Sequence, residues 1–359
     1  MQTQRRELNF EGQNVFIGID VHLKSWTVSI FTEKLFHKTF NQPPGGVVLR
    51  NYLDRNFPNA TYHSVYEAGF SGFWAHYKLK EMGINNIVIN AADVPTSQKE
   101  KLHKDDKVDS QKLARSLRNG ELRAIYVPET ATQQERSLVR CRATLVKDMT
   151  RFKMRIKSFL YFYGINYPPQ FEDSSKHWSR RFMMWLKEDI KLSHPEGQQA
   201  LNLLIRQAEE QRTLLLDTTQ KVRDLSQTEK YAHNMQLLRT IPGIGLITAI
   251  TLLTEVADIS RFESQDHLAG FIGIIPGRHS SGEKDKKTEM TFRGHYFLKR
   301  SLIESSWIAA RLDPALNMAY HKYVQRMDPN KAIIRIARKI TNRIYFVLTQ
   351  QKEYVKGTV

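Results

Sequence analysis

The chain has 359 residues, enough for two or three domains of ordinary size. Hydrophobic residues make up 41% of it, which argues against a disordered protein, and the net charge of +17 favours a polyanionic partner. An apolar run long enough to span a membrane is absent, and the first apolar stretch begins only at Val15, which argues against a secretory signal. We therefore expect a soluble intracellular protein that binds polyanions and has no membrane partner.

Residues 1–130 are predicted to form a mixed α/β domain. Strands are predicted at five short apolar stretches: residues 14–20, 26–31, 36–40, 62–66 and 87–89. Helical spacing of apolar residues predicts helices over 73–82 and 109–117. Consecutive strands followed by alternating strands and helices are typical of one mixed sheet covered by helices.

Two long amphipathic stretches follow and predict a helical segment over residues 131–232. Their apolar positions repeat at alternating steps of three and four residues, from Leu138 to Tyr163 and from Leu201 to Leu225. Two antiparallel helices packed within the chain fit this pattern, and so does a coiled coil that dimerises. The single cysteine, Cys141, is expected to be a small core residue on the first of these helices.

Residues 233–359 are predicted to form a separate, mainly helical domain. A Pro-Gly-Ile-Gly turn precedes an apolar helix ending at Leu253, and this turn looks like a helix-hairpin-helix. In such a turn the backbone N–H groups, here at Gly243 and Gly245, can hold a phosphate, although glycine also commonly marks a helix end. A basic stretch over 273–300 is rich in glycine and serine, and a helix is predicted to follow it over 301–311.

The last predicted helix, over residues 330–348, is amphipathic and basic. Its isoleucines lie opposite a basic side that contains Arg335, Arg338 and Lys339. A core helix with a solvated face explains this pattern, and so does a nucleic-acid-binding face. The large net charge favours the second explanation, so we expect these three side chains to contact nucleic acid.

Four carboxylates lie where predicted strands end or a predicted helix begins: Asp20, Glu67, Asp106 and Asp109. The first two come together if their strands pair, and the last two share one helix face because they are three residues apart. Each alone fits a turn, a cap or a charge at a helix dipole. Because strand cleavage with two metal ions needs several carboxylates in one place, the set predicts a Mg²⁺ site.

The stretches FIGIDVHLKSWTVSIF, YEAGFSGF and KDDKVDSQKLA resemble a RuvC-like DEDD domain. This domain is typical of a bacterial insertion-sequence transposase family, the bridge-RNA-guided recombinases, and the resemblance extends over nearly the whole chain. It implies an RNase-H-like fold and assigns the DEDD carboxylates to the four residues named above. The family often has Thr or Asn at the position of Asp105, so this extra carboxylate is a second candidate for metal binding.

Residues 271–282, FIGIIPGRHSSG, resemble a second motif of the family, in which Gly-x-x-Pro leads to Ser-Gly. The resemblance implies that Ser281 is the nucleophile and forms a 5′-phosphoserine. From the residues alone, a Ser-Gly turn in a basic loop is the favoured interpretation; Ser280 is an alternative nucleophile, and His279 is a candidate base. The residues expected to contact phosphate here and in the following RG-x-x-x-LKR stretch are Arg278, Lys284, Lys286, Lys287, Arg293, Lys299 and Arg300.

The resemblance also implies partners for the protein. These are donor and target DNA, a structured bridge RNA that selects both by base pairing, and further copies of the chain in a dimer of dimers. The carboxylates and Ser281 would then come from different subunits, in a cytoplasmic, nucleoid-associated bacterial enzyme.

Three other functions remain open from the residues. One is a RuvC-like metal-dependent nuclease without a covalent step. The second is an actin-like or sugar-kinase-like ATPase, which GIDVHLKSWTVSI suggests although a second Gly-rich phosphate loop is not evident. The third is a nucleic-acid-binding protein without catalytic activity.

Overall fold

The computed structural model describes residues 8–95, 105–281, 284–290 and 294–357, and within 277–281 and 284–290 it describes the backbone alone. The chain divides into two compact units, of which the first ends at Val127 and the second begins at Pro128. Within the described ranges, no helix combines the length and the apolar character needed to cross a bilayer. The further domain boundary at residue 232 stays a prediction.

One mixed sheet forms the centre of the first unit. Its strands are β1 (Asn14–Val21), β2 (Trp26–Thr32), β3 (Phe36–Gln42), β4 (Thr61–Glu67) and β5 (Asn85–Ile89). They lie in the order β3-β2-β1-β4-β5; β1 is antiparallel to β2 and parallel to β4, and β5 is parallel to β4. This arrangement agrees with the predicted RNase-H-like α/β domain.

Among the described residues, three α-helices accompany the sheet: α1 (Gly46–Asn56), α2 (Trp74–Glu81) and α3 (Asp106–Arg118). The sequence predicts α2, α3 and all five strands within a few residues. It does not predict α1, a mostly polar helix in which only Leu49 and Leu53 are buried apolar side chains. Two apolar positions four residues apart are too weak a pattern to indicate a helix.

Gly18 in β1 allows α3 to lie directly on the sheet. A Cβ atom at this position would be 2.1 Å from the carbonyl oxygen of Ser110 and 2.5 Å from the backbone nitrogen of Ala114. Beside this contact, the hydroxyl groups of Ser29 and Ser110 hydrogen bond at 2.8 Å. The close approach brings the first turn of α3 to the carboxyl end of β1, where the predicted metal site lies.

Gly18→Ala is expected to destabilise the first unit by about 3 kcal/mol, because the added methyl group meets helix backbone that cannot rotate away. Hydrogen exchange of the β1 amides measures this free energy. The matched control is Gly69→Ala, since a Cβ there meets nothing within 4 Å, and a change of less than about 0.5 kcal/mol is expected for it. Equal exchange in both variants would contradict the close contact between α3 and β1.

The second unit consists of nine described helices and one two-stranded sheet. The helices are α4 (Thr130–Phe162), α5 (Arg180–Glu188), α6 (Pro195–Ser226), α7 (Glu229–Arg239), α8 (Leu246–Val256), α9 (Gln265–Ile272), α10 (Tyr296–Leu312), α11 (Pro314–Val324) and α12 (Pro329–Gln350). The strands β6 (Pro276–Ser281) and β7 (Lys284–Met290) form an antiparallel ribbon. The sequence does not predict this ribbon, because its strands are polar and lack apolar alternation.

Helices α4 and α6 pack against each other within the chain. Met149 and Ile156 on α4 share a buried cluster with Leu201 on α6. Farther along, the side-chain amide of Gln211 donates to the carbonyl oxygen of Leu145 at 3.1 Å. The predicted heptad positions therefore meet in an antiparallel helical pair, and dimerisation through these helices stays a prediction.

Cys141 lies on α4 as expected, but the prediction that it is a core residue is wrong, because its side chain is exposed. The buried side of the helix at this point is marked by Val139, which is 1% exposed. Two residues along an α-helix correspond to a rotation of about 200° around its axis. Cys141 comes two residues after Val139, so it faces away from the packed side of α4.

Candidate active site and nucleic-acid contacts

A group of metal-binding side chains lies at the carboxyl end of β1. Asp20 is the next-to-last residue of this strand, and Asp106 is the first residue of α3. One ligand atom from each of Asp20, His22 and Asp106 lies within 4.8 Å of the other two. Two of the predicted carboxylates are thus close enough to share one metal ion, together with an imidazole that the sequence analysis did not select.

Glu67 lies beside this group but outside the set of three. It is the last residue of β4, which runs parallel to β1 with Gly18 opposite Val65. Continuing this register by two residues brings Glu67 level with Asp20. The pairing of the two strands, on which the prediction depends, is confirmed, and the role of Glu67 stays a prediction.

Asp109 lies one helical turn after Asp106 on α3 and is also outside the set of three. Its carboxylate accepts a hydrogen bond from the ammonium group of Lys112 at 3.1 Å. The Lys112 side chain is only 8% exposed, so this ion pair is partly shielded from water. A metal ion bound by Asp109 would compete with Lys112 for the same carboxylate.

Asp105 has a different structural role from Asp106. It is the N-cap of α3, with extended backbone angles, and its side chain accepts a hydrogen bond from the backbone N–H of Lys107 at 3.0 Å. A capping carboxylate is oriented towards the N–H groups of its own helix. The geometry therefore favours Asp106 over Asp105 as the partner of Asp20.

The pKa of Asp20 reflects both its burial and its charged neighbours. Burial raises the pKa of Asp20 above its ordinary value of 3.8, His22 lowers it, and the charges of Asp106 and Asp109 raise it again. The pKa is raised overall, chiefly by burial, so the ionised carboxylate of Asp20 is disfavoured in the metal-free protein. A divalent cation would stabilise the ionised carboxylates, and oxygen ligands are those that hard cations prefer. The residues present therefore fit a metal ion.

Asp20→Asn is expected to raise the midpoint of thermal unfolding of the metal-free protein at neutral pH. The raised pKa of Asp20 means that folding opposes the ionised carboxylate, and an uncharged amide removes this penalty. The difference between the variants should shrink as the pH falls through the raised folded-state pKa, and vanish below the unfolded value of 3.8.

Thermal melts in a chelator, followed by circular dichroism across this pH range, check the expectation. Glu81→Gln is the matched control, because Glu81 is an exposed partner of Lys78 on α2, and it should change the midpoint little. A lower midpoint for Asp20→Asn at neutral pH would mean that the hydrogen bond with His22 outweighs the penalty of burial.

His22 is the residue of this site that sequence reasoning missed. Its Nε2 atom lies 3.2 Å from Asp20 Oδ2, and its ring lies 5.7 Å from that of Phe70, which is 81% exposed. The sequence predicts only a turn at residues 22–25. The Asp-x-His spacing could have indicated His22 as a site residue, because side chains two residues apart on a strand point to the same face.

The predicted serine lies in the ribbon of the second unit. Ser281 is the last residue of β6 and pairs with Lys284, while Ser280 pairs with Asp285. The backbones of the predicted phosphate contacts also lie here, whereas their side chains are outside the described part of the structure: Arg278, Lys284, Lys286 and Lys287. Arg293 lies outside the described residues altogether.

The next two predicted phosphate contacts lie in the first turns of α10. Lys299 is half-buried, and burial lowers the pKa of its ammonium group. Arg300 is exposed, and its Nε donates to Glu304 Oε1 at 2.9 Å. Arg300 is therefore held at the surface of its helix by an exposed ion pair, and contact with phosphate stays a prediction for both residues.

The predicted helix-hairpin-helix turn contains two glycines with different surroundings. Gly243 has a φ of +85°, and a Cβ atom there would be 2.3 Å from the carbonyl oxygen of Ser305. Close packing of this turn against α10 thus explains why residue 243 is a glycine. Gly245 is exposed and precedes α8, whose N-terminus has no side-chain cap at this residue. Of the two, Gly245 has the more suitable surroundings for the predicted phosphate contact.

Helix α12 is amphipathic as predicted, with Ile336 and Ile340 fully buried. On the basic side, Arg335 is exposed, Arg338 is half-buried in an ion pair with Asp266, and Lys339 is half-buried. Arg338 therefore has a partner within the protein, and Arg335 is the most accessible of the three. Their contact with nucleic acid stays a prediction.

A mixed RNase-H-like sheet with carboxylates at the end of its central strand defines a class of enzymes that act on nucleic acids. Comparison with known families agrees. The DEDD_Tnp_IS110 model, described as a transposase, matches residues 17–165, and the model of the transposase IS116/IS110/IS902 family matches residues 235–321. The chain belongs to this family of transposases, which are enzymes that cleave and transfer DNA strands.

Similar curated proteins include transposases from several bacteria. The putative transposase y4qE of Sinorhizobium fredii is 30% identical over 279 residues, which cover 78% of this chain and 66% of y4qE. The transposase for insertion sequence element IS1111A of Coxiella burnetii is 27% identical over 286 residues, 77% of this chain and 74% of that protein. The pilin gene-inverting protein of Moraxella bovis is 33% identical over 135 residues, 36% of this chain and 41% of that protein.

Proposed function

We propose that this protein is an insertion-sequence recombinase that transfers strands between a donor and a target DNA. It would use a Mg²⁺ site formed by the DEDD carboxylates and a covalent step at Ser281. One observation carries the proposal: the ligand atoms of Asp20, His22 and Asp106 lie within 4.8 Å of one another, at the end of the central strand of an RNase-H-like sheet.

Asp20 and Asp106 would hold the metal ion, with Glu67 and Asp109 completing the set. Bound Mg²⁺ would neutralise charge on the scissile phosphate and on the departing oxygen. His22 would orient the carboxylate of Asp20 through their 3.2 Å contact. Burial is the main cause of the raised pKa of Asp20, but the charges of Asp106 and Asp109 also raise it, which supports this assignment because it shows that the three carboxylates interact.

Ser281 would break the DNA strand and conserve the energy of the broken phosphodiester bond in a covalent link to the DNA. Its oxygen forms a bond to phosphorus, its proton passes to a base, and the bond from phosphorus to the 3′ oxygen breaks to leave a 3′ hydroxyl. The 5′ end is then held as a phosphoserine. A 3′ hydroxyl of the second duplex attacks this phosphorus, a new phosphodiester forms, and the serine hydroxyl is restored.

The finer expectations about partners also belong to this proposal. A bridge RNA would choose the donor and target sequences, and the carboxylates and Ser281 would act together from different subunits of a dimer of dimers. The net charge of +17 supports a protein that holds RNA and two duplexes. The relatives are named for transposition and for gene inversion, and both processes rejoin strands as well as cut them.

The test uses the purified protein, the RNA transcribed from the DNA beside its gene, and labelled donor and target duplexes. We expect recombinant product and a labelled protein–DNA adduct with Mg²⁺, and neither with a chelator. Cutting without an adduct would favour the resolvase-like nuclease. DNA binding without cutting would favour a non-catalytic binding protein, and DNA-independent ATP hydrolysis would favour the kinase-like alternative.

A further inference from the structure

An ion cluster around one buried carboxylate lies in the second unit, near the end of α8. Glu255 on this helix is 1% exposed, and its carboxylate accepts two hydrogen bonds from the guanidinium of Arg140, at 2.6 and 2.8 Å. The Nε atom of Arg136 lies 3.2 Å from the same carboxylate, and Nε2 of His295 lies 3.0 Å from it. One buried carboxylate thus joins α4, α8 and the residue that precedes α10.

His295 uses both of its ring nitrogens inside the protein. Its Nδ1 atom accepts the backbone N–H of Leu298 at 3.3 Å and so caps α10. The ring proton therefore lies on Nε2, which donates to Glu255. Because both ring nitrogens have hydrogen-bond partners within the protein, the His295 imidazole is unsuited to take a proton from a serine. It contributes instead by holding neighbouring elements in position.

The two ends of the β6–β7 ribbon meet next to His295. Gly273 ends α9 in the left-handed conformation, three residues before β6 begins. Gly294, with a φ of +136°, packs on it so closely that a Cβ atom would be 2.4 Å from the Cα of Gly273. His295 follows Gly294 directly, and its backbone N–H donates to the carbonyl oxygen of Phe271 at 3.0 Å. The contact of Gly273, which precedes β6, with Gly294, which follows β7 in the chain, is therefore linked to the ion cluster through His295.

The energetics of the cluster favour a positional role over simple stabilisation. Burial raises the pKa of Glu255, but the hydrogen bonds from His295 and Arg140 and the positive charge of Arg140 outweigh it and hold the pKa at about 2. Desolvation of buried ion pairs often cancels their attraction, so such networks add little stability compared with apolar packing. What a fully hydrogen-bonded network does provide is one defined arrangement of the elements that it joins.

We infer that Glu255 and His295, with Arg136 and Arg140, are positioning residues for Ser281. Ser281 lies five residues along β6 from Pro276, which is roughly 17 Å at the usual rise of a strand. A tilt of about 5° at the base would then move the serine by about 1.5 Å, and a misplacement of 1 Å can reduce a reaction rate by about 100-fold. The role at Ser281 rests on the proposed function, whereas the attachment of the ribbon does not.

The test compares His295→Asn and Glu255→Gln in the full-length protein. Asparagine is a good N-cap, so His295→Asn keeps the cap of α10 and removes the link to Glu255. The matched control is Glu210→Gln, which breaks the exposed ion pair with Arg206 on α6. Three quantities are measured well below the unfolding midpoints: DNA affinity by anisotropy, the rate of adduct formation, and hydrogen exchange of the ribbon backbone.

We expect both cluster variants to exchange faster in the ribbon, to bind DNA within about twofold of the parent, and to form adduct about 100-fold more slowly. The control should match the parent in all three. Unchanged exchange in the ribbon would overturn the attachment, and faster exchange with a normal adduct rate would overturn the positioning role. If the parent protein forms no adduct, the proposed function fails and the role at Ser281 with it, and the exchange data still decide whether the cluster holds the ribbon.

Discussion

Asp106→Asn is expected to reduce strand transfer by at least about 10³-fold, because a site that loses one metal-binding carboxylate loses several kcal/mol of charge stabilisation. The same change at Asp105 is expected to leave the rate within about twofold, because asparagine caps a helix as well as aspartate does. The two residues are adjacent in sequence, yet Asp105 bonds to the N–H of Lys107 whereas Asp106 lies in the group with Asp20 and His22.

The rate of product formation with Mg²⁺ measures this difference, and titration with Mn²⁺ gives a second readout that does not require activity. Asp106→Asn should weaken Mn²⁺ binding, and Asp105→Asn should not. If the two effects were reversed, Asp105 would be the metal ligand and the capping contact with Lys107 would be absent in solution.

Ser281→Ala is expected to abolish the covalent adduct, since the adduct forms through the hydroxyl oxygen that the change removes. Alanine is compatible with the extended backbone of β6, so the variant should keep its fold and bind DNA within about twofold of the parent. A gel that retains labelled DNA on denatured protein measures the adduct. The carboxylates of the first unit are unchanged in this variant, so its Mn²⁺ binding should equal that of the parent.

Ser280→Ala is the matched control, because Ser280 is the preceding residue on the same strand and pairs with Asp285. It should keep most of the adduct. Adduct lost from Ser280→Ala and kept in Ser281→Ala would move the nucleophile to Ser280. Metal-dependent cutting that persists in both variants without an adduct would support the resolvase-like alternative.

Much of the first unit is predictable from sequence because its signals are local. Apolar runs mark the strands, and the order of the strands and helix that carry Asp20, Glu67 and Asp106 suggests that these residues meet. The sequence does not show that β1 and β4 are parallel neighbours, because strand pairing depends on contacts between residues 47 positions apart, such as Gly18 and Val65. The register that brings Glu67 level with Asp20 is visible only in the folded chain.

The second unit is predictable in its helices and less so in its connections. The heptad positions of α4 and α6 meet as expected, but the same pattern does not determine the orientation of residues between them, and Cys141 is exposed. The β6–β7 ribbon escapes prediction since its two strands are polar and pair mainly with each other. Strands are predicted from the alternation of apolar and polar residues, and these two sequences lack it.

The four carboxylates, the serine motif and the basic helix are recognisable from the sequence by itself, because each depends on residue type and short spacing. Only the tertiary structure distinguishes Asp106 from Asp105, adds His22 to the acidic group and explains Gly18 by its contact with α3. The same holds for Glu255 and His295, which are 40 residues apart and meet in the ion cluster. Distances between side chains far apart in the chain are set by packing, and packing has no local signature in the sequence.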